Sequence, residues 1–264
     1  PDKFKMEKHK PRLITFRAEE DAAETTALFK QYDFEGINLP LIVITPVVDK
    51  ATIEIVDDPN SFDIIIFTSV HAFYALISIF DGRGDIDTLL GKEIACVGDK
   101  TAQKVVELFS ADNIIIPEKF SAEGLVDYYK SKDIKGKKVL LPLGNLAGKT
   151  LSDELSAMGA EVKRVVIYKN EPPPEEEYNL IRTVLFTYLP DFLIFSSPSI
   201  FKNFLKATGE DAGIILENSK ICAIGDVTKK EIELNGFTVD VMPEDFTMEA
   251  VMQKLKNINL RDEN

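Results

Sequence analysis

The sequence predicts an α/β protein of two domains, each with a parallel β-sheet that helices cover on both faces. Short, continuously apolar runs alternate with amphipathic helical patterns, which is typical of buried parallel strands. The chain has 264 residues, of which 45% are hydrophobic, and this length favours two domains with modest cores. The third observation that supports two domains is an internal duplication.

Three sequence blocks occur twice, in the same order and at nearly the same separation. The blocks begin at the paired positions Asp63 and Asp191, Ile94 and Ile221, and Pro117 and Pro243. The separations are 128, 127 and 126 residues. Chance seldom keeps three blocks in step, so we expect two similar domains that face each other across a cleft. The cleft is where function is expected.

The strands are predicted from the apolar runs and the helix ends from local capping signals. The predicted strands, in order, are Leu13–Phe16, Ile64–Phe67, Ile94–Val97, Ile114–Ile116, Val139–Leu141, Leu193–Phe195, Ile221–Ile224 and Val239–Met242. Ser121, Thr247 and Ser197 are predicted helix N-caps, the last because Pro198 follows it. Gly159 is predicted to end a helix.

Phe120 and Phe246 each precede a predicted N-cap. Their spacing to Leu125 and Val251 is that of a hydrophobic staple, in which the residue before the cap packs against the first turns of the helix. We therefore predict a staple at the start of both helices.

A second, weaker repeat pairs Leu13–Arg17 with Val139–Leu143, which would divide the chain into tandem halves near residue 138. However, the β-prone segments Leu39–Val48 and Val165–Asn170 could each cross between domains. The sequence patterns alone leave both ways of dividing the chain open.

Composition excludes several classes of protein. The formal charge of −13 argues against non-specific binding to nucleic acid. The most apolar stretch, Leu39–Val48, is too short to span a membrane. The basic start (Lys3, Lys5, Lys8, Lys10, with His9) has no apolar segment behind it and is interpreted as a solvated tail. Cys96 and Cys222 lie in apolar strand patterns, which indicates small buried residues and a reducing cytoplasm.

Motif spacing argues against nucleotide and metal chemistry. Gly144 and Gly148 enclose three residues, one short of a phosphate-binding loop, and a dinucleotide-binding Gly-x-Gly-x-x-Gly is absent. With His9 and His71 as the two histidines, a His-rich metal site and a Ser-His-Asp triad are not expected. We interpret His71 as a surface helix residue, and predict neither cofactor nor metal.

Hydroxyl-bearing clusters follow four predicted strands and open the next helices: Thr68-Ser69, Asp99–Thr101, Ser196–Ser199 and Asp226–Thr228. In open α/β sheets, ligands bind at the carboxyl ends of strands. Hydroxyls and free helix N–H groups there suit a polyanionic ligand. Tyr168 breaks the internal symmetry, because its repeat partner is Ile42.

Taken together, the motifs resemble the uroporphyrinogen-III synthase family in order and spacing, from about Arg12 to Leu255. The motifs are Ile65–Ser69, Val97–Ala102, Leu143–Asn145, Gly159–Val162 with Tyr168, Phe195–Ser199 and Ala223–Thr228. The resemblance implies two flavodoxin-like, doubly wound parallel-sheet domains joined by a two-stranded β ladder. The implied domains are 12–38 plus 175–264 and 50–164, with inter-domain linkers 39–49 and 165–174. The implied ladder pairs Leu39–Val48 with Val165–Asn170.

The resemblance also implies an activity, that of a carbon–oxygen lyase of haem biosynthesis. A linear hydroxymethylbilane, which carries eight carboxylates, loses water and closes to uroporphyrinogen III with ring D inverted. The main task of such an enzyme is conformational control, which requires no reactive side chain. The implied partner is this small molecule alone, with no nucleic acid or membrane, and we expect a monomer. The alternative is a non-catalytic two-domain binding or regulatory protein of the same fold.

The family motifs carry site residues over to this chain. Tyr168 is the expected catalytic residue, as a hydrogen-bond donor that assists departure of the hydroxyl group. The expected substrate-binding residues are Arg17, Thr68, Ser69, Thr101, Gly144, Asn145, Ser196, Ser197, Ser199 and Thr228. Two positions depart from the family pattern: Leu143 stands where many family members have arginine, and Phe16-Arg17 replaces Thr-Arg.

Overall fold

The computed structural model describes residues 10–89, 91–109 and 114–258. Most of the predicted basic tail, Lys3 to His9, lies outside these ranges. Across the described ranges, every helix is too short or too polar to cross a lipid bilayer.

Strands and helices alternate along most of the chain. The strands in the described ranges are β1 (Arg12–Thr15), β2 (Glu35–Asn38), β3 (Val43–Pro46), β4 (Ile64–Phe67), β5 (Glu93–Cys96), β6 (Ile114–Ile115), β7 (Lys138–Gly144), β8 (Glu161–Glu171), β9 (Phe192–Phe195) and β10 (Lys220–Ala223). The α-helices are α1 (Ala22–Gln31), α2 (Lys50–Asp57), α3 (Val70–Phe80), α4 (Asp99–Phe109), α5 (Ala122–Lys130), α6 (Thr150–Ala157), α7 (Tyr178–Tyr188), α8 (Pro198–Thr208), α9 (Ala212–Glu217), α10 (Asp226–Leu234) and α11 (Met248–Lys256).

The chain folds into two compact units. Unit 1 comprises the described residues up to Val43 and those from Glu171 onward, whereas unit 2 runs from Ile44 to Asn170. The sheet of unit 1 has the order β10-β9-β1-β2, and every pair in it is parallel. The second sheet has the order β3-β8-β7-β4-β5-β6, with parallel pairs from β8 to β6. The predicted α/β class with parallel sheets is confirmed.

Both faces of each sheet are covered by apolar side chains. In β4, Ile65 and Phe67 pack into one core cluster, and Ile64 and Ile66 pack into another. The residues of β9 alternate in the same way between the two clusters of unit 1. Because successive side chains of a strand point to opposite faces, this alternation requires helices on both sides of the sheet. The continuous apolar runs in the sequence reflect this double burial.

The repeated aspartate fixes an equivalent strand pair in both units. The Oδ2 atom of Asp63 accepts the backbone N–H of Lys138 at 2.8 Å, and Oδ2 of Asp191 accepts that of Arg12 at 2.7 Å. Each carboxylate thus binds the first residue of the neighbouring strand, β7 or β1, with a charge-assisted hydrogen bond. The duplicated sequence therefore builds the same parallel pair twice, β4–β7 and β9–β1.

The predicted helix ends are confirmed. The side chains of Ser121, Thr247 and Ser197 each accept a backbone N–H from the first turn of the following helix, at 3.1, 3.1 and 3.3 Å. Gly159 follows α6 with a φ of +91°, the conformation that favours glycine after a helix. These ends were predictable because they depend on side chains within a few residues of the helix.

Two strand predictions need correction. Val239–Met242 is not a strand in the structure, because it contacts β10 through a single bridge between Val241 and Cys222. The Asp240 carboxylate accepts the N–H of Ile221 at 2.7 Å, so a side chain takes a donor that a strand carbonyl would use. The strand β2 was missed, because Glu35–Asn38 is a half-exposed edge strand without an apolar run.

Candidate functional site

The expected site residues lie at the carboxyl ends of neighbouring parallel strands, within each unit separately. Parallel strands that are neighbours end at the same edge of the sheet, so the segments that follow them are close. Unit 2 carries Thr68, Ser69, Thr101, Gly144, Asn145 and Tyr168 in this way. Unit 1 carries Arg17, Ser196, Ser197, Ser199 and Thr228.

Tyr168, Gly144 and Ser69 form one contact cluster in unit 2. The β7–β8 register pairs Gly144 with Tyr168, and a Cβ atom at position 144 would lie 2.6 Å from Cζ of Tyr168. Glycine at this position therefore leaves the space that the tyrosine ring occupies. The Tyr168 hydroxyl is 3.2 Å from Oγ of Ser69, which also caps α3 by accepting the N–H of Ala72 at 3.1 Å. The phenol is thus held in a defined place.

Tyr168 is largely buried, with 8% of its surface exposed. Its ring belongs to a core cluster that includes Phe67, Phe73 and Ile167. The ring of His71, in the first turn of α3, has its centroid 6.1 Å from that of Tyr168. Sequence reasoning treated His71 as a surface residue, whereas the fold brings this titratable side chain beside the expected catalytic residue. The signal for this was its position two residues after Ser69.

Asn145 extends the β7–β8 ladder beyond the last pair of strand residues. Its N–H donates to the carbonyl of Tyr168 at 3.1 Å, and its Oδ1 atom accepts the N–H of Asn170 at 2.9 Å. The side chain oxygen therefore stabilises the end of β8, and through it the backbone at Tyr168.

A pocket of about 290 Å³ opens on the face of the sheet that carries Leu141 and Leu143, whereas the ring of Tyr168 packs into the core cluster on the other face. Thr68 lines it together with Leu143, Arg164 and the first turns of α5 and α6. The Nη2 atom of Arg164 donates to the carbonyls of Ala147 and Gly148, at 3.1 and 2.9 Å. Within the described ranges, Arg164 makes no ion pair with a carboxylate.

The sequence does not single out Arg164, because the family pattern has its arginine after the Val139 strand, where this chain has Leu143. Leu143 and Arg164 line the same pocket from neighbouring strands. The signal that could have found Arg164 is the β7–β8 pairing, which depends on tertiary structure.

Arg17 is engaged within unit 1. Its guanidinium lies 3.0 Å from an oxygen of Asp21 and donates to Oγ1 of Thr25 at 3.2 Å. The side chain is 14% exposed. Arg17 is therefore paired with the acidic residue that precedes α1, and the Asn38 side chain holds its backbone by accepting its N–H at 3.0 Å.

The hydroxyl residues of unit 1 repeat the capping arrangement of unit 2. Ser197 caps α8 as Ser69 caps α3, and its Oγ atom is 3.0 Å from that of Ser199. Ser196 is half-buried beside them. Thr101 and Thr228, in the first turns of α4 and α10, are 7% and 3% exposed. Their side chains face the interior, so the groups that these turns can offer a ligand are chiefly backbone N–H groups.

The two thiols are not placed for catalysis. Burial raises the pKa of Cys96 to about 12, and burial also raises the pKa of Cys222. Both thiols are free and stay protonated at neutral pH. Among the described residues, no group of three or more His, Cys, Asp or Glu side chains is arranged to hold a metal ion.

The chain matches known proteins along almost its whole length. The family described as "Uroporphyrinogen-III synthase HemD" matches residues 23–253. The uroporphyrinogen-III synthase of Chlorobaculum parvum is 28% identical over 236 residues, which is 89% of this chain and 93% of that protein.

Solved structures agree with the fold. The crystal structure of uroporphyrinogen-III synthetase from Helicobacter pylori 26695 has a TM-score of 0.64 at 18% identity, covering 93% of this chain and 98% of that one. A mutant uroporphyrinogen III synthase from the extremely thermophilic bacterium Thermus thermophilus has a TM-score of 0.58 at 16% identity, with coverage of 93% and 97%. The family match extends over far more than half of the sequence, and this chain therefore belongs to the uroporphyrinogen-III synthase family.

Proposed function

We propose that this chain is a uroporphyrinogen-III synthase, which closes linear hydroxymethylbilane to uroporphyrinogen III with loss of water and inversion of ring D. The observation that carries the proposal is the family match over residues 23–253. The substrate's carboxylates and the donor-rich strand ends of both units fit together chemically, because helix N–H groups and hydroxyls bind anions.

The reaction begins with cleavage of the bond between carbon and the hydroxymethyl oxygen. The oxygen leaves as water once it has gained a proton, and the electron-rich pyrroles then attack the azafulvene cation that remains. We assign the proton or hydrogen bond to the hydroxyl of Tyr168. Its support is geometric: Ser69 holds the hydroxyl at 3.2 Å, and Gly144 leaves room for the ring. Because the residue is 8% exposed, only a small part of its surface could meet the substrate.

The pocket lined by Thr68 and Arg164 is proposed to hold a carboxylate-bearing arm of the substrate. Thr68 offers a hydroxyl, the first turns of α5 and α6 offer N–H groups, and Arg164 supplies a positive charge. This arginine compensates for Leu143 at the position where other family members have a cation. A protein of charge −13 requires such local donors, since its overall field repels an anion.

The remaining expected residues are proposed to bind carboxylates in two ways. Ser69, Ser196, Ser197 and Ser199 would do so with side-chain hydroxyls, and Thr101, Thr228 and Gly144 mainly through backbone N–H groups. Asn145 would use its side-chain amide N–H, because its backbone N–H donates to the carbonyl of Tyr168. The paired guanidinium of Arg17 would contribute with donors left over from Asp21 and Thr25.

The finer architecture is proposed with the function. The domains would be 12–38 plus 175–264 and 50–164, both flavodoxin-like, with linkers 39–49 and 165–174. The division into units 1 and 2 supports this, as does the order β10-β9-β1-β2. The position of β3 beside β8 supports the predicted ladder. We also propose a cytoplasmic monomer, which analytical ultracentrifugation of the purified chain would test.

The activity is tested with freshly generated hydroxymethylbilane, followed by oxidation and chromatographic separation of the type I and type III porphyrin isomers. We expect the type III isomer to dominate, in proportion to the amount of protein. Without a catalyst, the bilane cyclises without inversion. Formation of only the type I isomer would overturn the proposal and favour a non-catalytic binding protein of the same fold.

A further inference from the structure

Phe120 and Phe246 are equivalent residues of the internal repeat, and both are unusually exposed for phenylalanine. Their relative exposures are 60% and 57%. Leu125 and Val251, the predicted staple partners, are fully buried. A staple contact would therefore leave more than half of each phenylalanine uncovered, so helix packing does not account for these two side chains.

Each phenylalanine stands at the centre of a hydrogen-bonded three-residue turn. The residue after it donates its N–H to the carbonyl of the residue before it, at 2.7 Å in both turns. Neither phenylalanine has a positive φ, which makes both inverse γ-turns. The next residue, Ser121 or Thr247, is the N-cap of a helix and fixes the turn from the other side. Each unit thus carries a phenylalanine on the same backbone structure, an inverse γ-turn followed by a helix N-cap.

Both phenylalanines lie against the loops that carry expected site residues. A Cβ atom on Gly225 would lie 3.2 to 3.4 Å from three ring atoms of Phe246, and one on Gly98 would lie 4.0 Å from Cβ of Phe120. Gly98 and Gly225 end the β5 and β10 segments, immediately before α4 and α10. Both phenylalanines therefore stand at the same sheet edges as Thr101 and Thr228, each within its own unit.

We propose that Phe120 and Phe246 are positioning residues whose rings contact pyrrole rings of the tetrapyrrole. The inference rests on the proposed function. Hydrogen bonds to carboxylates anchor the flexible arms, but they leave the orientation of each pyrrole poorly defined. An aromatic side chain on a rigid turn orients a pyrrole by offset or edge-to-face contact. Such a contact is also independent of charge, which suits an acidic protein that binds a polyanion.

The test compares Phe120→Ala, Phe246→Ala and the double variant with wild type, using freshly generated hydroxymethylbilane. We expect each substitution to raise KM by about 2- to 12-fold, which is the range of an aromatic pair. The fraction of type I isomer should rise in the double variant, and the thermal midpoint should stay close to wild type because the rings are exposed. Leu234→Ala is the matched control, since Leu234 is 74% exposed at the end of α10.

Conservative variants show whether the substrate requires an aromatic ring at these positions or only an apolar side chain. Phe120→Tyr and Phe246→Tyr should keep a KM near that of wild type, whereas the corresponding leucine variants should resemble alanine. If an alanine variant unfolds, the leucine variant gives the same comparison. A KM and isomer ratio within twofold of wild type in all alanine or leucine variants would overturn the inference. Absence of type III product from the wild-type protein would instead overturn the proposed function itself.

Discussion

Replacement of Gly144 by alanine is expected to displace the side chain of Tyr168. The new Cβ atom would lie 2.6 Å from Cζ and 2.8 Å from the hydroxyl oxygen of Tyr168. Carbon atoms in contact are normally about 3.5–4.0 Å apart, so the ring must retreat by about 1 Å. The hydroxyl, now 3.2 Å from Oγ of Ser69, would then move beyond hydrogen-bonding distance.

The cost of this change has two parts. Overpacking a well-packed site costs about 1–3 kcal/mol, and loss of the Tyr168–Ser69 hydrogen bond costs about 0.5–1.5 kcal/mol. We therefore expect the free energy of unfolding to fall by about 1.5–4.5 kcal/mol. A displacement of about 1 Å at a reacting group can also lower turnover by about 10²-fold.

Urea unfolding followed by circular dichroism measures the stability, and the isomer assay measures type III synthesis. Gly148→Ala is the matched control for stability alone, since a Cβ atom there meets nothing within 4 Å. We expect that control to stay within about 0.5 kcal/mol of wild type.

A double variant identifies the cause of the loss. In a Tyr168→Ala background the clash is gone, so Gly144→Ala should cost nothing and could add about 0.4–1 kcal/mol by restricting the unfolded chain. An equal cost of Gly144→Ala in both backgrounds would refute the reasoning, because the tyrosine ring would then not be what requires glycine.

Further predictions concern single side chains. Tyr168→Phe should lower kcat by about 10²–10⁴-fold, with unchanged KM and a stability loss of about 0.5–1.5 kcal/mol; full turnover would exclude Tyr168 as the donor. Ser69→Ala should cost about 0.5–2 kcal/mol of stability because it removes a helix cap. Its activity should fall only modestly, because backbone N–H groups share the binding of carboxylates. A thousandfold loss in kcat would contradict that sharing. Arg164→Gln should raise KM by about tenfold or more, whereas Lys163→Gln on the same strand should not; equal effects would argue against a specific charge in the pocket. Because burial raises the pKa of Cys96 from 9.0 to about 12, the native thiol should resist thiol reagents at pH 8 and react once the chain is unfolded. The same shift implies that the protonated Cys96 contributes fully to the free energy of unfolding below pH 9, and that this contribution is lost as the pH rises toward 12. Urea unfolding of wild type and Cys96→Ala across this pH range measures the contribution. Parallel curves of stability against pH for the two proteins would contradict it.

Local sequence patterns predicted those helix ends and strands whose physical cause lies within a few residues. The caps at Ser121, Thr247 and Ser197 depend on side chains that reach the next helical turn, and all three are in place. Buried strands such as β4 and β9 were recognisable because both of their faces are apolar. The edge strand β2 was not, since an edge strand that is half exposed has no apolar run to mark it.

The surroundings of the site residues were not predictable in the same way. The sequence singled out Arg17 and Asn145 but did not reveal their partners. The guanidinium of Arg17 pairs with Asp21, and the side-chain oxygen of Asn145 accepts the N–H of Asn170. Sequence patterns did not single out Arg164, and they placed His71 on the helix surface. The neighbours of these two residues in the fold, Leu143 and Tyr168, are distant in sequence. Such contacts are set by the pairing of strands, which no local pattern specifies.

The sequence by itself determined the alternation of strands and helices, the duplication, and the strand ends where the expected site residues lie. These follow from periodicity and capping, which act over a few residues. Only the tertiary structure decided that β1 lies between β2 and β9, with Leu13 opposite Phe192, and that Gly144 lies under the ring of Tyr168. Such pairings join distant segments, and their free energy comes from burial and hydrogen bonds that exist only once the sheets have formed.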